Sequence, residues 1–351
     1  MRIVASEEGE IIKIMMRAWD DFHAHIRTDD VLKTVLPHTA RYCARALAMP
    51  NILPPVLDGS NALFYKGQIM NALPKAGRCG KFQPLMTIKI VDRTTPVMIR
   101  GAHKAGVIAG KVYPVGVTNN SEDGVTDFEK LYPVFQEMER CGMKLCLHGE
   151  APDSYLPHSR REKAFIGKTL WKIVDAFPKL VVILEHVSTA VGVDYVLEGP
   201  PTLFATITPH HLFLTRDDVD GVKLHPHHFC RPIPQTTHDR LVLGKAATSG
   251  NPKFFLGTDS APHPRERKEC ADGAAGVFNA PVAPAVLTKF FLQSKCIEKL
   301  EPFVSEFGAR AYGLPLNEET ITIVRKPWVV PQQYGDIVPF MAGETLQWQV
   351  E

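Results

Sequence analysis

Short apolar runs rich in β-forming residues alternate along the chain with longer stretches whose apolar positions recur at helical spacing. The strand-like runs cover 18–24 (AWDDFHA), 45–50 (RALAMP), 83–90 (QPLMTIKI), 106–112 (GVIAGKV), 143–148 (MKLCLH), 180–186 (LVVILEH), 203–208 (LFATIT) and 253–258 (KFFLGT). Between them, 126–141 (TDFEKLYPVFQEMERC) and 161–177 (REKAFIGKTLWKIVDAF) carry the helical pattern. Eight strands alternating with helices predict an α/β fold, a closed (β/α)8 TIM barrel; an open doubly wound sheet is the alternative. No internal repeat interrupts the pattern. A single barrel domain over 1–351 accounts for the length, with 318–351 as strand-rich decoration.

Polar residues collect where the strand-like runs end. His23 and His25 close the first, Asn51 follows the second and Lys111 lies near the end of the fourth. His148 ends the fifth, His186 the sixth, and Asp259 follows the eighth. In a barrel these ends share one mouth, where active sites sit. A strand period of two puts His23, His25 and Arg27 in one row, where two protonated imidazoles beside a guanidinium would repel. A metal would keep them neutral; a structural histidine pair is the other reading. Six ionisable groups at one mouth favour the metal, because burying them without one is costly.

Lys111 sharpens the argument. An ammonium about 5 Å from a divalent ion, at an effective dielectric of about 20, is repelled by roughly 7 kcal/mol. It cannot stand there as a cation. Reaction of its amine with carbon dioxide would give an anionic carbamate able to bridge two metals; a surface lysine is the plain alternative.

Composition narrows the setting. The chain has 351 residues, 45% hydrophobic and 22% charged, with a net charge of +2, so nothing points to nucleic acid or a membrane surface. No apolar run reaches the length of a membrane span, and the start "MRIVASEEGE" lacks the pattern of a signal peptide. Seven scattered cysteines without a C-x-x-C pair suit a reduced, cytoplasmic compartment. The excess lies in 14 histidines and 28 prolines.

The set "FHAHIR", "AMPN", "KVYP", "LHGE", "LEH" and "GTDSAPH" resembles the amidohydrolase superfamily, and within it the dihydroorotases of the shorter bacterial and fungal type. "TNNSEDGVT", "ATITPHHL", "HPHHFCRPI", "APHPRERKE", "GAAGVFNAP" and "FMAGETLQW" extend the resemblance from about residue 14 to the end. It implies a cyclic amide hydrolase with two zinc ions. His23, His25 and Asp259 would bind the more buried ion and His148 and His186 the more exposed one, bridged by Lys111 as N6-carboxylysine. Asp259 would be the catalytic acid–base. Arg27 and Asn51 would bind the substrate α-carboxylate with His263, and main-chain groups at Arg231 and Ala275 would hold the ring amide edges. Thr118 and Asn119 would form the lid loop. The implied substrate pair is dihydroorotate and N-carbamoyl-L-aspartate, in pyrimidine biosynthesis, and the implied assembly a homodimer.

Some positions depart from the family's pattern. Ala24 stands where a larger apolar residue is common, Arg231 replaces an apolar residue, and Asn119 follows Thr118 where paired threonines often occur. The dense histidines 210, 211, 225, 227 and 228 suggest a second metal site, but their loop-like context after prolines favours hydrogen bonding and packing. His38, His103, His158 and His238 read as surface residues, and Cys146 as a small core residue. Two rivals stand beside the main reading. One is a hydrolase of hydantoins, dihydropyrimidines or allantoin; the other is a silent relative acting as a scaffold, which would be expected to have lost ligands.

Overall fold

Alternation at the first and last runs builds a sheet outside the barrel. The computed structural model describes residues 1–75 and 78–351. Strands β1 (Arg2–Ala5) and β2 (Ile11–Arg17) come first. Eight further strands follow: β3 (Trp19–Ala24), β4 (Cys43–Ala48), β5 (Gln83–Ile90), β6 (Ala109–Val112), β7 (Lys144–His148), β8 (Val182–Glu185), β9 (Leu203–Ile207) and β10 (Phe254–Leu256). β11 (Thr320–Val329) and β12 (Thr345–Val350) end the order. The outer sheet runs β1-β2-β11-β12 and is antiparallel. Ile14 and Met16 of β2, Ile321 and Ile323 of β11, and Leu346 and Trp348 of β12 turn inward. The strand-rich tail therefore pairs with the N-terminal strands, which the apolar run 11–24 conceals by passing straight into β3.

β3 to β10 form one eight-stranded sheet in sequence order, every neighbour parallel. Main-chain bonds close the ring: the Asp259 N–H donates to the His23 carbonyl (2.8 Å) and the His25 N–H to the Ser260 carbonyl (3.1 Å). The Asp21 carboxylate fixes this seam by accepting from the N–H (2.8 Å) and hydroxyl (2.5 Å) of Thr258. Gly257 passes so close that a Cβ there would lie 2.8 Å from the Thr206 Cβ and 3.0 Å from that of His23. The open sheet is excluded.

Inside the ring every strand contributes one apolar side chain to a single layer. Phe22, Leu47, Ala109, Cys146, Ile183 and Phe255 are buried there, with Leu85 and Phe204 at its edge. Phe307 and Tyr312 cover it from below, and Phe22 stacks on Tyr312 at 4.5 Å. Two residues further along β6, β7, β8 and β9 the same inward row becomes polar, with Lys111, His148, Glu185 and Thr206. The apolar layer is the floor of the site.

The helical stretches are shorter than their sequence pattern. The 126–141 segment opens with a 3-10 turn at Glu129–Leu131 and is α-helical from Tyr132 to Cys141, with Pro133 in its first turn. The 161–177 segment carries one π-turn, Ile166–Leu170. No helix among the described residues is long and apolar enough to cross a membrane.

At the bottom of the barrel Arg45 of β4 donates from Nε (2.8 Å) and Nη2 (2.5 Å) to Asp20 of β3, and Asn317 donates to the same carboxylate (2.9 Å). Arg45→Ala leaves that carboxylate buried without its cation. The expected loss is about 3–5 kcal/mol in urea unfolding, with kcat unchanged, because the pair lies opposite the mouth. Equal unfolding midpoints would show the pair to be dispensable.

Candidate metal and substrate site

The residues expected at the mouth converge there, but not all by the expected geometry. The β3–β4 register shifts between Asp21 and Ala24, which lets Phe22 face the floor while His23 faces the site. The strand ends at Ala24, so His25 and Arg27 do not extend its row. Arg27 turns back through a left-handed φ of 63°, which corrects the shared strand face expected for it. His186 (φ 42°) and Asp259 (φ 44°) use the same left-handed region just beyond their strands. Non-glycine residues rarely hold it outside functional turns.

Two candidate ligand groups result. His23, His25 and Asp259 bring one donor atom each within 4.8 Å of one another. The Asp259 carboxylate lies 3.1 Å from His25 Nε2 and 3.4 Å from His23 Nε2. Across the mouth, the rings of His148 and His186 meet edge to face at 4.7 Å, and His186 lies 5.1 Å from His23. Lys111 lies on the inward row, fully buried, and its Nζ has no hydrogen-bond partner among the described residues; His186 Nδ1 is orphaned likewise.

The electrostatics suit neutral ligands. Burial lowers the pKa of His25 to about 3 and moves those of His148, His186 and Lys111 down as well. For Asp259 burial acts upward, but His23 and His25 outweigh it and hold the carboxyl below its usual range. Neutral imidazoles and an ionised carboxylate are the forms that bind a metal, and a lowered lysine pKa favours the free amine with which carbon dioxide reacts.

Two carboxylates complete the arrangement. Glu185 Oε2 lies 2.8 Å from His23 Nδ1 and accepts from Thr206, while Glu150 Oε2 lies 2.8 Å from His148 Nε2. Each holds one ring nitrogen and leaves the other for the mouth, as carboxylates behind metal-bound histidines do. Sequence reasoning assigned neither, although both lie within quoted motifs. The signal for Glu185 was parity: Ile183 faces inward, so Glu185 must too.

The remaining expected residues surround this cluster. Arg27 Nε donates to the Pro262 carbonyl (3.0 Å), and its Nη2 lies 2.9 Å from His263 Nε2. Asn51 Nδ2 points toward the Asn119 carbonyl at 3.4 Å, with its buried Oδ1 lacking a partner among the described residues. Arg231 lines the cavity, and its side chain reaches His158 Nδ1 at 2.5 Å, so His158 is not a plain surface residue. His38 also differs from expectation: it is half-buried against Tyr334 (4.2 Å) and Phe278, and burial lowers its pKa to about 4. His103 and His238 are exposed.

The other histidines make hydrogen bonds and ring contacts, although His210, His211 and Cys230 also bring one donor atom each within 4.8 Å of one another, and His210 Nε2 lacks a partner among the described residues. His211 is satisfied at both nitrogens, by Thr208 Oγ1 (2.7 Å) and the Pro232 carbonyl (3.0 Å). His210 Nδ1 meets Asn279 (3.0 Å), His228 the Asp218 carbonyl (2.8 Å) and His227 Glu269 (2.8 Å); His225 stacks on His228.

An eight-stranded parallel barrel carrying a histidine–aspartate cluster and an inward lysine at its C-terminal mouth defines a metal-dependent hydrolase of the amidohydrolase type. No protein-family model matches the chain. A dihydroorotase of Teredinibacter turnerae is 45% identical over 336 residues, spanning 95% of this chain and 97% of its own. The crystal structure of dihydroorotase from Saccharomyces cerevisiae in complex with 5-fluoroorotic acid superposes with a TM-score of 0.90 at 32% identity, covering 97% of this chain and 98% of that one. The dihydroorotase structure from Campylobacter jejuni gives 0.88 at 35%, covering 97% of each. The chain belongs to the dihydroorotase family.

Proposed function

We propose that the chain catalyses the reversible hydrolysis of the cyclic amide (S)-dihydroorotate to N-carbamoyl-L-aspartate, with ring closure serving pyrimidine biosynthesis. One observation carries the choice of substrate within the amidohydrolase class. Arg27 is a half-buried guanidinium beside the ligand cluster with no carboxylate at ion-pair distance among the described residues. Burial lowers its pKa only to about 10, so it remains a cation waiting for an anion.

The donor set fits two zinc ions. His23, His25 and Asp259 would hold one, His148 and His186 the other, and carboxylated Lys111 would bridge them; the orphaned Nζ of Lys111 and Nδ1 of His186 support this assignment. When bound, the ions supply Lewis acidity at the scissile carbonyl and lower the pKa of water. The chain supplies the rest. Arg27 holds the ring carboxylate with Asn51 and His263, fixing the ring for attack. The main chain at Ala275 and Arg231 pairs with the ring amide edges. Asp259 takes the proton of the attacking water and delivers it to the ring nitrogen that leaves; in ring closure it acts in reverse. Glu185 and Glu150 keep His23 and His148 in the tautomers that face the mouth. The scattered cysteines and the family resemblance support a cytoplasmic homodimer, which light scattering reads directly.

Arg27 supplies the test. Lysine keeps the charge but loses the fork, so Arg27→Lys should weaken dihydroorotate turnover, and Arg27→Ala should lower kcat/KM by at least ~10²-fold, with zinc content unchanged in both. Dihydrouracil lacks the carboxylate and should be processed poorly by all three proteins. Preference of the wild type for dihydrouracil would transfer the site to the dihydropyrimidine class.

A further inference from the structure

The loop after β6 is tied down at both ends. Lys89, buried at the end of β5, donates to the Asn120 carbonyl (2.7 Å) and pairs with Asp123. Asn120 Nδ2 donates to the Asn51 carbonyl (2.9 Å), and the Thr118 N–H to Ser121 Oγ (3.0 Å). From this anchored loop Asn119 reaches into the mouth. Its Nδ2 donates to the Ala275 carbonyl (2.6 Å), while the Ala275 N–H donates to its Oδ1 (3.2 Å). A side-chain carboxamide thus pairs at two points with a main-chain amide, and the same Nδ2 lies 3.2 Å from His263 Nε2.

The pairing divides the mouth. An inner cavity of about 20 Å³, bounded by His23, His148 and Asp259, has room for a water molecule but not for a six-membered ring. An outer vestibule of about 650 Å³ opens beside it. Arg27, Asn51 and Asn119 line both spaces, so the Asn119 carboxamide stands in the partition between them.

Ala275 offers one donor and one acceptor, and the ring of dihydroorotate presents the complementary –CO–NH– edge. So does an asparagine carboxamide. We propose that Asn119 is an internal stand-in for the substrate's ring amide: it competes for the Ala275 edge and must leave it before the ring can be seated. The inference rests on the dihydroorotase reading for the identity of that edge. It makes Asn119 a positioning residue that sets apparent affinity, since a partner admitted only when the pairing is broken binds in proportion to the open fraction. Two neutral hydrogen bonds correspond to roughly a tenfold bias.

The test compares metal-loaded wild type with Asn119→Ala and Asn119→Thr, neither of which can span both Ala275 groups. Titration calorimetry with 5-fluoroorotate gives Kd, and steady-state kinetics with dihydroorotate separates KM from kcat. Both variants are expected to bind 5-fluoroorotate about tenfold more tightly and to show a KM lowered to a similar degree, with kcat changed much less. Equal or weaker binding in the variants, at unchanged melting temperature, overturns the inference while leaving the dihydroorotase reading intact. A wild type that neither binds 5-fluoroorotate nor opens dihydroorotate overturns that reading, and this inference with it.

Discussion

Lys111→Ala is expected to lose most of its bound zinc and more than ~10²-fold of its turnover together. Removing a group that merely orients a metal ligand costs 10–100-fold, and a ligand shared by two cations costs more. The structural ground is the position of the amine: wholly buried, on the inward row, with no hydrogen-bond partner among the described residues. Burial lowers its pKa, which favours the free amine that reacts with carbon dioxide. Without the carbamate, His148 and His186 remain on one side and His23, His25 and Asp259 on the other, with nothing to screen the repulsion between two cations. Metal analysis alongside turnover reads both effects, and small carboxylic acids should restore part of each by filling the vacated space. Two zinc ions and ordinary turnover in Lys111→Ala would end the bridging model.

Asp259→Asn separates holding from proton transfer. The residue adopts a left-handed φ of 44°, which asparagine tolerates better than most side chains, so the backbone should survive. One oxygen remains for a ligand, but the amide cannot carry a proton between water and the leaving nitrogen. The rate should fall by at least ~10²-fold with part of the metal retained. A metal-loaded Asp259→Asn protein working at near-normal rate would remove Asp259 from the acid–base role.

Much of this arrangement was legible in the chain because strand ends mark the mouth of a barrel and because the ligand-type residues lie at those ends. Lys111 and His148 could be placed by counting alone. What could not be counted was the seam. The register shift near Asp21 re-aims His23, and the turn at Arg27 leaves the strand row, since the pairing of β3 with a segment some 235 residues away decides where the strand stops. Strand β2 was hidden for a simpler reason: "IIKIMMR" runs into "AWDDFHA" without a turn signal, and its partners β1 and β11 lie at the two ends of the chain. Glu185 was within reach of parity, whereas Asn119 was not. Its meeting with Ala275 is made across 156 residues by a loop whose path depends on Lys89.

The closing seam also orders events in time. The two bonds that complete the ring, from Asp259 to His23 and from His25 to Ser260, belong to the residues that gather at the mouth. Contacts so distant in sequence carry a large loop-closure cost and consolidate late in folding. A nascent chain that has emerged only as far as β9 therefore displays His23 and His25 without their carboxylate partner. The proposed ligand set would come into being in the same step that zips β10 against β3, so metal loading would wait for the finished barrel.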